Sequence, residues 1–201
     1  MRFRSSQAVL RFGGPEGNSI LTSAAAGVLT VLLLAEGVTI IDLGGLRPEH
    51  MFIGLVLIPP VLLKLASTGY RFLRYYTGSR PYRRRGPPVL PLRVLGPLLV
   101  GATVVVFATG VWLMLVGHKS QTLFTVHKAS FIAWGVIFGI HFLAHLPRMT
   151  WSLRDDWRAS RRRSVPGSSL RAMVVASSLG AGLAPAFIAL SLIDHWHAGG
   201  G

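Results

Sequence analysis

The sequence predicts an all-α fold, an integral membrane bundle of five transmembrane helices, and three observations support this prediction. Apolar residues make up 51% of the 201-residue chain, whereas charged residues make up only 14%. The mean hydropathy is positive, at +0.51, which is unusual for a soluble domain. Five apolar runs each reach about 20 residues, the length that spans the hydrocarbon core of a bilayer. We therefore expect a multi-pass protein of a bacterial-type cell membrane.

The apolar runs define the predicted helices and a single domain. The expected helices cover residues about 20–41, 49–74, 93–117, 122–147 and 169–194. They form one transmembrane domain at 20–195, preceded by a basic segment at 1–19 and followed by a short tail at 196–201. The connections between the helices leave no room for a soluble catalytic domain.

The first two helices are recognised by their length and by the residues that interrupt or follow them. The first, "ILTSAAAGVLTVLLLAEGVTII", is longer than the roughly 7–15 apolar residues of a cleaved signal peptide, so we interpret it as a signal anchor. The segment "DLGGLRPEH" then turns the chain, because glycine and proline break helices. In the second helix, Pro59 and Pro60 predict a kink.

The last three helices are apolar runs that contain small residues. Gly101, Thr103, Thr109 and Gly110 in the third helix leave space for a close neighbour. In the fourth helix, Gly135 and Gly139 form the G-x-x-x-G pattern that is typical of packed transmembrane helices. The fifth, "LRAMVVASSLGAGLAPAFIALSLI", follows an arginine-rich connection and is again long enough to span.

The basic residues are distributed unevenly along the chain. Most of the 21 Lys and Arg either precede the first helix or lie in the connections that follow the second and fourth helices. Because cytoplasmic loops are enriched in Lys and Arg, we expect a cytoplasmic N-terminus and a C-terminus outside. Topology and attraction to anionic membrane lipid then account for the net charge of +14, and we expect no nucleic-acid partner.

Histidines recur at a helical spacing within the predicted membrane. His50 and Lys64 lie 14 residues apart on the second helix, and His127 and His141 lie 14 residues apart on the fourth. Such a spacing is close to four helical turns, or about 21 Å, so each pair shares one helix face. His145 belongs to the same face as His141, because residues four apart do so. Ionisable residues inside a membrane usually mark a functional site.

A haem is the cofactor that such a pattern could hold. Haem iron takes axial ligands from facing helices of a bundle. His50 and His127, at similar expected depth, are the predicted outer ligands. His141, with His145 nearby, is the predicted inner ligand, and Lys64 is the residue that the second helix offers at that level. We therefore expect one haem b at the outer level, and a second at the inner level is left open.

The same two segments resemble a known family. "HMFIGLVLIPPVLLKLASTGYRFLRYY" followed by "HKASFIAWGVIFGIHFLAHL" resembles bacterial b-type cytochrome membrane proteins and the ferric-reductase-like transmembrane group. The resemblance covers roughly residues 46–147. It implies that His50, His127 and His141 match haem ligands, with Lys64 where the family pattern would have a second inner histidine. It also implies electron transfer between quinol, haem and a partner redox subunit, by an electron-transfer component rather than a self-sufficient enzyme.

Two other functions stay open at this point. The incomplete inner ligand set favours a cofactor-free accessory or assembly subunit of a larger membrane complex. A small transporter would account for Lys64, for Glu36 and for the proline-broken helix. Glu36 itself either pairs with Arg47 near the interface or, if buried, relays protons or contacts a quinol.

Overall fold

The fold was obtained as a computed structural model, which describes residues 13–84, 86, 90–116, 120–156 and 165–198. For residues 90–92, 145–156, 195 and 197–198 it describes the backbone alone. Every regular element in these ranges is a helix. The helices are α1 (Gly14–Ile41), α2 (Arg47–Tyr76), α3 (Arg80–Arg83), α4 (Leu90–Val116), α5 (Gln121–Asp156), α6 (Ser168–Ile188) and α7 (Leu190–Ala198).

The all-α prediction and the number of candidate spans are confirmed for the described residues. Five helices there are long and apolar enough to cross a membrane, at Gly14–Ile41, Arg47–Tyr76, Arg93–Val116, Gln121–Ala144 and Ser168–Ile188. The chain thus has the architecture of a multi-pass membrane protein. The orientation of its termini stays a prediction. We call the end where α1 and α4 finish the histidine end, and the opposite end the arginine end.

The helix boundaries differ from the predicted ones by more than three residues in three places. α1 starts at Gly14 rather than at residue 20, following Gly13, whose left-handed φ of 76° suits glycine at a helix start. α5 continues to Asp156 rather than ending at 147. The fifth predicted helix is divided at Ala189 into α6 and α7, shortly after Pro185, which cannot donate a helical hydrogen bond.

The helices form two groups. In the first group α2 packs between α1 and α6, and in the second group α4 packs against α5. Hydrogen bonds near both ends show that α1 and α2 are antiparallel: Asn18 Nδ2 donates to the Ser67 carbonyl at 3.1 Å, and Thr39 contacts His50 at 3.1 Å. Between the groups, α2 packs on α4, but α2 and α5 show no extended backbone packing in the described residues.

The paired prolines of α2 lie where α6 crosses it. Pro59 and Pro60 lack an N–H, so the carbonyl oxygens of Leu55 and Val56 lose their intrahelical donors. A Cβ on Gly182 would lie only 2.9 Å from the Cα of Val56, and nearer still to its carbonyl oxygen. Glycine at 182 therefore lets the α6 backbone approach the freed carbonyl.

The most buried apolar cluster lies near the histidine end and joins the two helix groups. α7 contributes to it and is held in place because Trp196 Nε1 donates a hydrogen bond to the Met114 carbonyl at 3.0 Å. Burial of apolar side chains provides the main stabilisation of this junction. The buried members of the cluster are Leu55, Val56, Met114, Ala186 and Ile193.

Candidate functional site

Two histidine rings lie close together at the histidine end of the bundle. His50 lies in the first turn of α2 and His127 lies in the second turn of α5, so the two rings come from different helix groups. Their ring centres are 6.4 Å apart and their planes meet at 71°. The structure thus brings together the two residues that the sequence predicts as outer ligands.

The environment of His50 fixes one of its two ring nitrogens as a donor. Thr39 Oγ1 donates to the Glu36 carbonyl at 2.6 Å, which uses its only proton. The same oxygen lies 3.1 Å from His50 Nδ1, so it must accept a hydrogen bond from that nitrogen. Glu36 Oε1 is a second acceptor, 3.0 Å from Nδ1. We therefore assign the proton of a neutral His50 to Nδ1.

His127 is held in the same way by a threonine of its own helix group. Thr109 Oγ1 donates to the carbonyls of Val105 and Val106, at 2.7 and 3.0 Å. It lies 3.0 Å from His127 Nδ1 and must therefore accept from that nitrogen. The Val106 carbonyl also interacts with this ring. The proton of a neutral His127 is thus also assigned to Nδ1.

These assignments leave the Nε2 lone pairs of both rings available. Within the described part of the chain, no hydrogen bond reaches Nε2 of His50 or of His127. Metal-ligating histidines typically donate their other ring N–H to a carboxylate, a carbonyl or a similar oxygen, which fixes the tautomer and the ring orientation. Glu36, Thr39 and Thr109 supply such acceptors here.

The ring separation is compatible with a shared metal ion. Two imidazoles that ligate one ion from opposite sides have ring centres about 6 Å apart, since each metal–nitrogen bond is about 2.0 Å and each nitrogen lies about 1.1 Å from its ring centre. An edge-to-face contact between aromatic rings also occurs at about 4.5–7 Å. An edge-to-face contact alone would leave the Nε2 lone pairs of both rings without a bonding partner.

The backbone around the two rings is built for close approach. A Cβ on Gly110 of α4 would lie 3.0 Å from Cε1 of His127, so glycine there makes room for the ring. Gly54 of α2 lies beside Glu36, with its Cβ position 3.7 Å from Oε1. The helices that carry the two histidines, α2 and α5, lack extended packing against each other in the described residues. Their backbones therefore stay apart where the two rings meet.

The donor set suits a metal whose remaining ligands are not supplied by protein. Groups of three or more His, Cys, Asp or Glu side chains that could hold a metal ion are absent from the described residues. Haem requires only axial ligands from the protein, because the porphyrin supplies the others. Two neighbouring imidazoles whose Nε2 atoms make no hydrogen bond in the described residues suit that requirement.

The predicted inner residues are placed differently. Lys64 Nζ donates to the Thr22 carbonyl of α1 at 3.1 Å, so its amine is directed to α1. Thr22 Oγ1 in turn donates to Ser67 Oγ at 2.9 Å. His141 is half-buried on α5. His145 lies in α5, but its side chain falls outside the described residues.

The residues that orient the two imidazoles are not evident from the sequence. Thr109 stands out there only as a small residue, and Thr39 does not stand out at all. The sequence suggests Arg47 as a partner of Glu36, whereas the structure gives it His50. The signal in the sequence is a threonine at nearly the same depth as each membrane histidine. The sequence does not show whether that threonine lies on the helix face that meets the histidine.

Comparison with protein-family models, with curated proteins and with solved structures finds no match to this chain.

Proposed function

We propose that this chain is a cytochrome b-like membrane protein that holds one haem b between His50 and His127 and passes electrons within or across the membrane. The observation that carries the proposal is the pair of neighbouring rings, with centres 6.4 Å apart and with each Nδ1 facing an acceptor of its own helix group. A bound haem would supply one-electron redox chemistry at its iron.

The residues of the chain have separate roles in this proposal. His50 and His127 would hold the haem iron, while Thr39, Glu36 and Thr109 fix the tautomer and the direction of each ring. A haem held by two histidines would favour electron transfer over the binding and activation of a substrate at the iron. Electrons would be exchanged with a partner redox subunit, and a quinone is a further candidate for that exchange.

The test is the spectrum of the full chain, purified in detergent from cells with ample haem. We expect a Soret band and, after reduction with dithionite, a sharp α-band. Addition of carbon monoxide to the reduced protein should leave the spectrum unchanged, because the two histidines occupy both axial positions. A colourless protein refutes the proposal, and a carbon monoxide adduct refutes ligation by both histidines.

A second candidate function is a cofactor-free accessory subunit of a larger membrane complex. The observation that favours it is the exposed face of α5, where nothing approaches the Cβ positions of Gly135 and Gly139 within 4 Å. Large apolar side chains are exposed on the same helix, at Ile132, Val136, Ile140 and Leu143. A colourless chain that co-purifies at fixed stoichiometry with a larger complex would support this alternative.

A further inference from the structure

The two sides of the candidate haem site are chemically unequal. On the α5 side, the Nδ1 of His127 faces the neutral hydroxyl of Thr109 at 3.0 Å. On the α2 side, the Nδ1 of His50 faces a carboxyl oxygen of Glu36 at 3.0 Å in addition to the hydroxyl of Thr39. One imidazole is thus paired with an acidic residue, whereas the other is not.

Glu36 is well placed to act strongly on His50. Only 13% of the Glu36 side chain is exposed, so water weakens the interaction little. Its Oε2 is buried and has no hydrogen-bond partner in the described residues, so no other donor there competes for the carboxylate. Among the described residues, Glu36 forms no ion pair with a Lys or an Arg.

The physical effect of such a contact on a metal ligand is known. A carboxylate that accepts the Nδ1–H of a ligating imidazole raises the basicity of the ligand. A more basic axial ligand stabilises the oxidised iron relative to the reduced iron. The reduction potential of a haem depends on its axial ligands and on the hydrogen bonds that they make.

We propose that Glu36 is a positioning residue that lowers the reduction potential of the iron through His50, so that the site is tuned as an electron donor at low potential. This inference depends on the proposed haem site. It assigns to Glu36 a role that neither an ion pair with Arg47 nor a purely structural contact would give it.

The experiment measures the midpoint potential of the purified protein in four forms: wild type, Glu36→Gln, Glu36→Asp and Glu49→Gln. Glu49 is the matched control, since it is exposed and adjacent to His50 in the chain, so its loss removes the same charge without removing a contact to the ring. We expect Glu36→Gln to raise the ratio of reduced to oxidised protein about tenfold at fixed ambient potential, an upward shift of about 59 mV for a one-electron couple. Glu49→Gln should produce a much smaller shift.

Glu36→Asp keeps the charge but shortens the side chain, and its potential should lie between those of wild type and Glu36→Gln. If Glu36→Gln does not retain haem, the comparison of Glu36→Asp with wild type decides, and an upward shift is required. Equal potentials for Glu36→Gln and wild type, or equal shifts for Glu36→Gln and Glu49→Gln, overturn the inference. A colourless wild type instead refutes the haem site itself.

Discussion

Polar side chains are used differently at two levels of this bundle, the histidine level, where His50 and His127 lie, and the lysine level, where Lys64 and Thr22 lie. At the histidine level, the hydrogen bonds of His50 and His127 run back to acceptors in their own helix groups, which leaves the Nε2 lone pair of each ring without a hydrogen bond in the described residues. At the lysine level, the polar groups of α1 and α2 bond to one another, with Lys64 on the Thr22 carbonyl. A binding site requires groups that converge and are not already satisfied, and only the first level offers this in the described residues.

The comparison also shows the limit of a sequence repeat. The 14-residue spacing places His50 above Lys64 and His127 above His141, and it suggests two equivalent levels. The structure separates them, because both residues bond to α1 but only His50 also lies beside a histidine of α5, with its ring centre 6.4 Å from that of His127.

Replacement of a ligand at the histidine level should have the largest effect. We expect His127→Ala to abolish haem binding, because the chain then offers one axial nitrogen instead of two at that level. His141→Ala is the matched control, 14 residues along the same helix, and should keep the absorption spectrum of the wild type. The measurement is the Soret absorbance per polypeptide. An unchanged spectrum for His127→Ala would remove His127 from the site.

Loss of an orienting hydroxyl should weaken haem binding without abolishing it. Thr109→Val removes the acceptor of His127 Nδ1 at nearly constant volume, and loss of such a partner typically lowers metal affinity by about 10–100-fold. Thr30→Val is the control, since the Thr30 hydroxyl bonds, within the described ranges, only to the Ala26 carbonyl of its own helix. The rate of haem transfer to an excess of a haem-scavenging protein measures the effect. Equal rates for the two variants would contradict the assigned role.

A smaller effect is expected when the space behind His127 is filled. Gly110→Ala places a methyl group 3.0 Å from Cε1 of the ring, so the ring must shift by a few tenths of an ångström. Gly101→Ala on the same helix meets nothing within 4 Å and serves as the control. We expect Gly110→Ala to shift the Soret maximum and to speed haem loss, although alanine favours the helix itself by about 1 kcal/mol. Identical spectra for both variants would show that Gly110 does not shape the site.

The lysine level should respond least. Lys64→Met removes an amine whose described hydrogen bond is to a single carbonyl, and a typical hydrogen bond contributes only about 0.5–1.5 kcal/mol net. We expect the haem content to stay at the wild-type value and the free energy of unfolding to change by about 1 kcal/mol. A halved haem content would instead show that Lys64 takes part in holding a second haem.

Much of the fold could be predicted from the sequence, because hydrophobic length is a strong signal in membrane helices. The five spans follow from the apolar runs, and the kink-prone Pro59-Pro60 pair could be placed on α2 directly. The division of the last helix at Ala189 could not be predicted in the same way, since Pro185 alone does not determine where a kinked helix restarts. The start of α1 at Gly14 could not be predicted either. The first residues of this helix, "GPEGNS", are not an apolar run, and the helix begins after Gly13 in a left-handed conformation.

The candidate site was predictable only in part. Helical spacing is sufficient to place His50 and His127 at one depth, and two histidines in apolar spans favour a common ligand. Helical spacing alone does not determine which way a side chain turns about its own helix. The contact of Glu36 with His50 and that of Lys64 with Thr22 both depend on how α1 rotates against α2, which is set by packing across the whole interface.

The amount of haem per polypeptide is the most direct test of the central claim. The full chain, purified in detergent from cells with ample haem, should give a pyridine haemochrome of haem b at one haem per chain. A value of zero in the folded protein would contradict the proposed function. A value of two would contradict the distinction between the histidine level and the lysine level.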